Sequence, residues 1–222
     1  MFREVILNNE KDWMAIRSKV LTATEVSVIL GLNKYRTINE ILADKKDPKP
    51  FENSYTVIGQ LLEPVVVAST NKILGTNFKL FEQTKDIKSF FLDEELKLGS
   101  TPDASDGQKL LECKTTKPGN FLRYSGWPPV YYLAQLYTQL LCTSLEEGLL
   151  SILSTNLAPI SQEIRIPISI FSVSRSSKID SLVISEVERF WNTINANKVF
   201  RVNRKQTLET EIILRCLTKR IY

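Results

Sequence analysis

The sequence predicts an α/β (mixed α+β) fold: a central mixed sheet flanked by helices, in a single domain. Three observations predict it. The 222 residues are 43% hydrophobic, enough to bury one substantial core, and the length does not require a second domain. Helical and strand-like hydrophobic periods follow one another as helices, antiparallel strands, helix, strands and helices, without internal repeats or low-complexity stretches. Helix starts are marked by capping residues, at Thr22 with Glu25 and at Thr37 with Glu40.

Taken in order, residues 10–19 show helical spacing of Trp13, Ile16 and Arg17, and 22–31 read as a helix that stops at Gly31. A third helix over 37–46 is broken by the Asp-Pro-Lys-Pro run that follows. Residues 54–74 predict a long helix closed by Gly75, which Pro64 should kink or divide. Strands are expected at 77–83, 86–92, 96–104 and 108–115, and a helix from Pro129 to about Cys142. Strands at 148–154 and 161–168, a long helix over 176–197 and a helix over 205–220 complete the chain.

Composition removes several chemistries. The absence of histidine excludes histidine-based triads, histidine general bases and most transition-metal sites, so a metal here would be held by oxygen. Cys113, Cys142 and Cys216 lie far apart without a C-x-x-C pair, which argues against a disulfide framework or a zinc site. No stretch approaches the roughly 18 uninterrupted apolar residues of a membrane span. The charged N-terminus lacks a signal-peptide core, so an intracellular protein is expected. The net charge of +4 is uneven: residues 198–222 hold seven basic residues against Glu209 and Glu211. Such a segment suits a polyanion, or equally a solvated helix face.

The stretch from Leu98 to Thr116 brings Asp103, Glu112 and Lys114 close together in sequence. A two-residue loop at Asp106-Gly107 would set Asp103 opposite Leu110 and Thr101 opposite Glu112. Alternation would then project Asp103, Glu112 and Lys114 from one face and Cys113 from the other. Two carboxylates and a backbone carbonyl are hard oxygen donors, suited to Mg²⁺ or Mn²⁺. A surface salt-bridge cluster is the alternative.

Several motifs in order resemble the PD-(D/E)xK nucleases, and more closely the lambda-exonuclease or YqaJ-like viral recombinase family. They are W-x-x-x-R at Trp13–Arg17, T-A-T-E at Thr22–Glu25, an I-L-G segment running to Tyr35, GQLLEP ending in Glu63-Pro64, STPD at Ser100–Asp103, LLECK ending at Lys114, and AQLYTQ with Gln135 and Gln139. Ala104 stands where the family usually has glycine, and Thr24 where it has serine. The motifs cover residues 13–143 and leave the C-terminal third without a match.

The resemblance implies one nuclease domain over residues 1–222 with a restriction-endonuclease-like PD-(D/E)xK core, the motif-bearing part at about 13–168 and C-terminal helices at about 176–222. It implies metal binding by Asp103, Glu112, the Cys113 carbonyl and Glu63, directly or through water, with Mg²⁺ as cofactor and Mn²⁺ able to substitute. Lys114 would orient or activate the attacking water, Gln135 would hold the lysine or the water, and Arg17 and Thr24 would take the 5′-phosphate of duplex DNA. The implied activity is 5′-to-3′ digestion of linear double-stranded DNA, leaving 3′ overhangs for recombination with a single-strand annealing protein. A ring-shaped homotrimer, and a bacterial cytoplasmic location if phage-encoded, are implied as well. An endonuclease of the same fold, acting in restriction or in host DNA or RNA turnover, is the alternative enzyme. A non-catalytic nucleic-acid-binding relative is the alternative from another class, and intact Asp103, Glu112 and Lys114 speak against it.

Overall fold

Side-chain caps decide where the first helices begin. After strand β1 (Arg3–Leu7), the Asn9 side chain accepts the Asp12 amide at 2.8 Å and starts α1 (Glu10–Arg17). Strand β2 (Leu21–Thr22) runs directly into α2 (Ala23–Ile29), and a turn leads to α3 (Ile38–Lys46). Both later helices carry the expected reciprocal capping boxes, Thr22 with Glu25 and Thr37 with Glu40. Next come α4 (Ser54–Leu74), β3 (Lys79–Leu80), β4 (Lys88–Asp93), β5 (Leu98–Ser100), β6 (Ala104–Ser105), β7 (Lys109–Thr116), α5 (Pro118–Tyr124) and α6 (Val130–Thr143). Strands β8 (Glu147–Ser154) and β9 (Ile168–Ser174), helices α7 (Ser177–Asn195) and α8 (Arg204–Cys216), and strand β10 (Thr218–Arg220) finish the chain. The structure is a computed structural model that describes residues 2–48, 54–81, 88–155 and 167–222.

The described residues form a six-stranded sheet in the order β10-β9-β8-β7-β6-β3 and a four-stranded sheet in the order β1-β4-β5-β2. Both are mixed: β7 with β8 and β2 with β5 run parallel, all other pairs antiparallel. Alternation along β8 shows how the larger sheet is covered on two sides. Leu150 and Ile152 join α2, α6 and α7 residues in one core, while Leu149 and Leu153 pack with Val66 and Val67 of α4 on the other. Between those leucines, Ser151 on the α4 side hydrogen bonds to Thr70 at 2.8 Å. Helix α6 lies close to the sheet because Gly148 has no side chain: a Cβ there would stand 2.8 Å from Leu136 Cδ1 and 3.2 Å from Leu140 Cδ2. No helix among the described residues is long and apolar enough to cross a membrane.

The structure differs from the sequence reading in several places, each with a local cause. Helix α4 runs unbroken through Pro64. The proline ring removes one amide, but Val66, Val67 and Thr70 just beyond it are fixed against the sheet. The hairpin closes through four residues, 106–109, because Asp106 accepts the amides of Gln108 at 2.9 Å and Lys109 at 2.7 Å. Gly107 takes the positive φ of +88° that this turn needs.

Between the strand expected to end at 115 and the helix expected from Pro129, residues 118–124 form α5, with Pro118 in its first turn. Strand β9 at 168–174 begins where the strand expected at 161–168 ends; residues 161–166, like 82–83 and 86–87 of two other expected strands, lie outside the described residues. Residues 218–220, expected as helix, are strand β10, which satisfies the outer edge of β9. The four-stranded sheet and its strands β1 and β2 were not foreseen.

Candidate active site

The buried carboxylate of Glu112 lies at the centre of the site. Glu112 is 1% exposed and sits on the β7 face that α6 covers, a turn-spaced pair of glutamines reaching down from that helix. Gln135 Nε2 donates to Glu112 Oε1 at 2.6 Å, and Gln139 Nε2 donates to Oε2 at 2.7 Å. Lys114 Nζ, two residues along the same face, also donates to Oε1 in an ion pair. A carboxylate without solvent is stable only with such partners, and both of its oxygens have them.

Asp103 comes to the same place through the end of the β-ladder. Strand β6 pairs with β7 only at Ala104–Leu111 and Ser105–Leu110, which brings Asp103 level with Glu112 rather than with Leu110. The next amide on that edge, Cys113 N–H, donates instead to Asp103 Oδ2 at 2.7 Å. The Cys113 side chain packs on the opposite face with Leu111, Ala104 and Val66, as alternation predicts. Because β6 is so short, α4 can approach β7 beyond it: a Cβ on Gly59 would lie 3.8 Å from Thr115 Oγ1. One turn further along α4 is Glu63.

The electrostatics follow from three carboxyls and one ammonium in a partly dehydrated site. Burial and the Glu112 charge push Glu63 up to about 7, against the pull of Lys114. Burial first and Glu112 second also raise Asp103 well above the usual carboxylate range. Burial alone would lower Lys114, but Glu112 and Asp103 outweigh it and hold the ammonium above the ordinary lysine range.

A divalent cation would relieve this repulsion, and carboxylate oxygens are the donors Mg²⁺ takes, so the residues fit such an ion in kind. Among the described residues no three His, Cys, Asp or Glu side chains already close into a metal cage. Glu112 Oε2 accepts one hydrogen bond among the described residues, from Gln139, so a second lone pair on it could take the ion while that bond is kept.

The second group of predicted residues lies around the start of α2. Arg17 rests its guanidinium 4.3 Å over the Trp13 ring; burial lowers its pKa and Glu25 opposes that shift. Thr24 is exposed in the first turn of α2. In sequence Glu25 is a capping residue and the last residue of the T-A-T-E motif; in the structure it is a buried acid that accepts Lys45 Nζ at 2.6 Å and lies 3.7 Å from Arg36 Nη1. Arg36 is also paired with Asp44, and Lys45 Nζ donates to the Arg17 carbonyl at 2.7 Å. Spacing does not place Lys45 or Arg36 beside Glu25, since α3 and the turn before it bring them in from more than ten residues away. The sequence places Gln139 in the AQLYTQ motif without a role, and the apolar surroundings of that motif are the signal that it is buried. In the basic C-terminal segment, Arg215 is bound to Glu211 at 2.8 Å.

A mixed sheet presenting Asp103 beside Glu112 and Lys114, flanked by helices on both faces, is a fold of the PD-(D/E)xK type. The chain belongs to the YqaJ-like viral recombinase domain family, whose model matches residues 12–146. Among solved structures it is similar in fold to an alkaline exonuclease (LHK-Exo) from Laribacter hongkongensis, at 18% identity and a TM-score of 0.63, covering 84% of this chain and 93% of that one. The same exonuclease in complex with dAMP gives 19% identity and a TM-score of 0.62 over the same shares. A phage-related exonuclease from Haemophilus somnus 129PT gives 13% and 0.53, covering 80% of this chain and 96% of that one. No curated protein matches the chain in sequence.

Proposed function

We propose that this member of the YqaJ-like viral recombinase family is an exonuclease that hydrolyses one strand of linear duplex DNA from its 5′ end with Mg²⁺ as cofactor. The observation that carries the reading is the Glu112–Lys114 pair on one strand face, with Asp103 level with Glu112 and Glu63 adding charge from α4. Asp103, Glu112, the Cys113 carbonyl and Glu63 would hold the ion. When bound, it supplies charge stabilisation for the phosphate and the departing oxygen. Lys114, drawn toward its ammonium form by Glu112 and Asp103, would orient or activate the attacking water. It also offsets negative charge on the phosphate. Gln135 and Gln139 keep the Glu112 carboxylate aimed while these charges change.

Arg17 and Thr24 are assigned to the terminal 5′-phosphate, with the Arg36 and Lys45 charges close by. A guanidinium and a hydroxyl in the first turn of a helix both favour an anion. Products with 3′ overhangs would pass to a single-strand annealing protein, and a ring-shaped homotrimer would keep the enzyme on its track; both belong to this proposal.

The test compares linear with closed circular duplex, each in Mg²⁺ or EDTA, following product length with time, and 5′-phosphoryl with 5′-hydroxyl ends. Progressive shortening of the linear 5′-phosphorylated strand in Mg²⁺ alone is expected. Efficient cutting of closed circles with indifference to the 5′-phosphate would replace the exonuclease by an endonuclease acting through the same carboxylates.

A further inference from the structure

Four tyrosines link the two halves of the site, and neither half requires them. Tyr35 sits beside Arg36 in the turn before α3, and its ring is 66% exposed. It meets the Tyr131 ring at 5.6 Å and 78°. Tyr131 meets Tyr132 at 4.6 Å and 65°, and Lys114 Nζ stands 5.4 Å from the Tyr132 ring centre. Tyr124 of α5 braces Tyr132 at 6.3 Å and 84°. The rings thus run from Tyr35, the sequence neighbour of Arg36, to the ammonium beside Glu112.

Tyr124 and Tyr132 also pack in part against the core, but two features set the array apart from it. Tyr35 is mostly in solvent, and Tyr131, Tyr132 and Tyr124 are only partly covered, at the open N-terminal end of α6. The rings also brace one another through their edge contacts. Each edge-on contact covers one ring's face and leaves its partner's free, the exposed Tyr35 has room for a planar ligand, and a preset ring costs little entropy when it takes one. Lys34 Nζ, 5.5 Å from the Tyr35 ring centre, adds a cation for a backbone phosphate next to that base.

We propose that Tyr35, Tyr131 and Tyr132 form a stacking track for the unpaired terminal bases of the strand being cut, guiding it from the Arg36 cluster to Lys114. This rests on the nuclease reading and adds to it a nucleobase subsite. A π-face accepts every base, so the track serves digestion without regard to sequence. It also offsets the loss of stacking when a terminal base leaves the duplex.

The experiment measures binding in EDTA to a 5′-phosphorylated duplex with two unpaired terminal nucleotides, and to the same duplex with those two sites abasic. The unsubstituted protein should bind the base-bearing end about fivefold or more tightly, the lower end of what base–aromatic stacking contributes. Tyr35→Ala, at an exposed position that should not disturb folding, should reduce that ratio, and Tyr131→Leu should do the same. Tyr35→Phe should keep it. With 2-aminopurine as the first base, fluorescence should be quenched in the bound complex and recover in Tyr35→Ala. A protein that digests linear DNA in Mg²⁺ but binds abasic and base-bearing ends alike would overturn the track alone, as would full discrimination in folded Tyr35→Ala. A protein that neither digests nor binds ends would remove both the track and the nuclease reading beneath it.

Discussion

Gln139 offers a substitution whose effects on stability and on catalysis should separate. Leucine at this position removes the amide that donates to Glu112 Oε2 at 2.7 Å. A hydrogen bond to a charged group contributes about 1.5–3 kcal/mol. The same side chain carries a buried Oε1 with no hydrogen-bond partner among the described residues, and such an unmet acceptor costs about 1–3 kcal/mol. The two terms oppose each other, so Gln139→Leu should change folding stability by no more than about 2 kcal/mol, a melting shift within about 8 °C. Catalysis has no such offset. Glu112 keeps its partners on Oε1 only, from Lys114 and Gln135, and its second oxygen loses its fixed direction. Loss of a residue that orients a ligand carboxylate typically lowers activity about 10- to 100-fold.

The assay pairs a thermal melt with the initial rate of nucleotide release from linear duplex in Mg²⁺. A folded Gln139→Leu protein digesting DNA at the unsubstituted rate would refute the positioning argument. A melting temperature lower by much more than about 8 °C would show that the glutamine serves stability instead.

Asp103→Asn keeps an acceptor for the Cys113 amide while removing a charge, so the protein should fold and bind DNA but not cleave it. Mg²⁺ should raise the melting temperature of the unsubstituted protein and leave that of Asp103→Asn unmoved, because a ligand stabilises only the state that binds it; equal shifts would remove Asp103 from the metal set. Lys114→Met should retain the Mg²⁺-induced melting shift while its rate falls about a hundredfold or more, and loss of the shift would make the lysine a structural residue. Arg17→Ala should shrink the preference for 5′-phosphorylated over 5′-hydroxyl ends about tenfold or more, the equivalent of a charge-assisted hydrogen bond, and Thr24→Ala should do so less; an unchanged preference in Arg17→Ala would move the phosphate site elsewhere.

What the sequence by itself determined is the chemistry and the local signals. Capping boxes at Thr22 and Thr37 start helices because their partners lie three residues away, within one turn. The alternation that turns Glu112 and Lys114 to one face and Cys113 to the other is a property of any strand, and the register error in the hairpin did not disturb it. The order of short motifs was enough to find the family, since each motif is carried by consecutive residues.

Long-range contacts were decided by tertiary structure alone. Asp103 faces Glu112 because Asp106 captures two amides and lengthens the loop, a competition between side chain and ladder that a turn dipeptide does not reveal. Helix α4 continues through Pro64 because its next turn is fastened to β8 by Thr70 and Ser151. Strands β1 and β10 each lie far in sequence from the strand they pair with, β4 and β9, so no local period announces them. Glu25 illustrates the division within one residue. Its capping role needs only Thr22, three positions back, but its burial against Lys45 and its approach to Arg36 exist only once α3 has packed beside α2. The physical reason is range: a hydrogen bond within one turn is encoded by neighbours, whereas a contact that closes a long loop forms only when the whole core makes up the lost chain entropy.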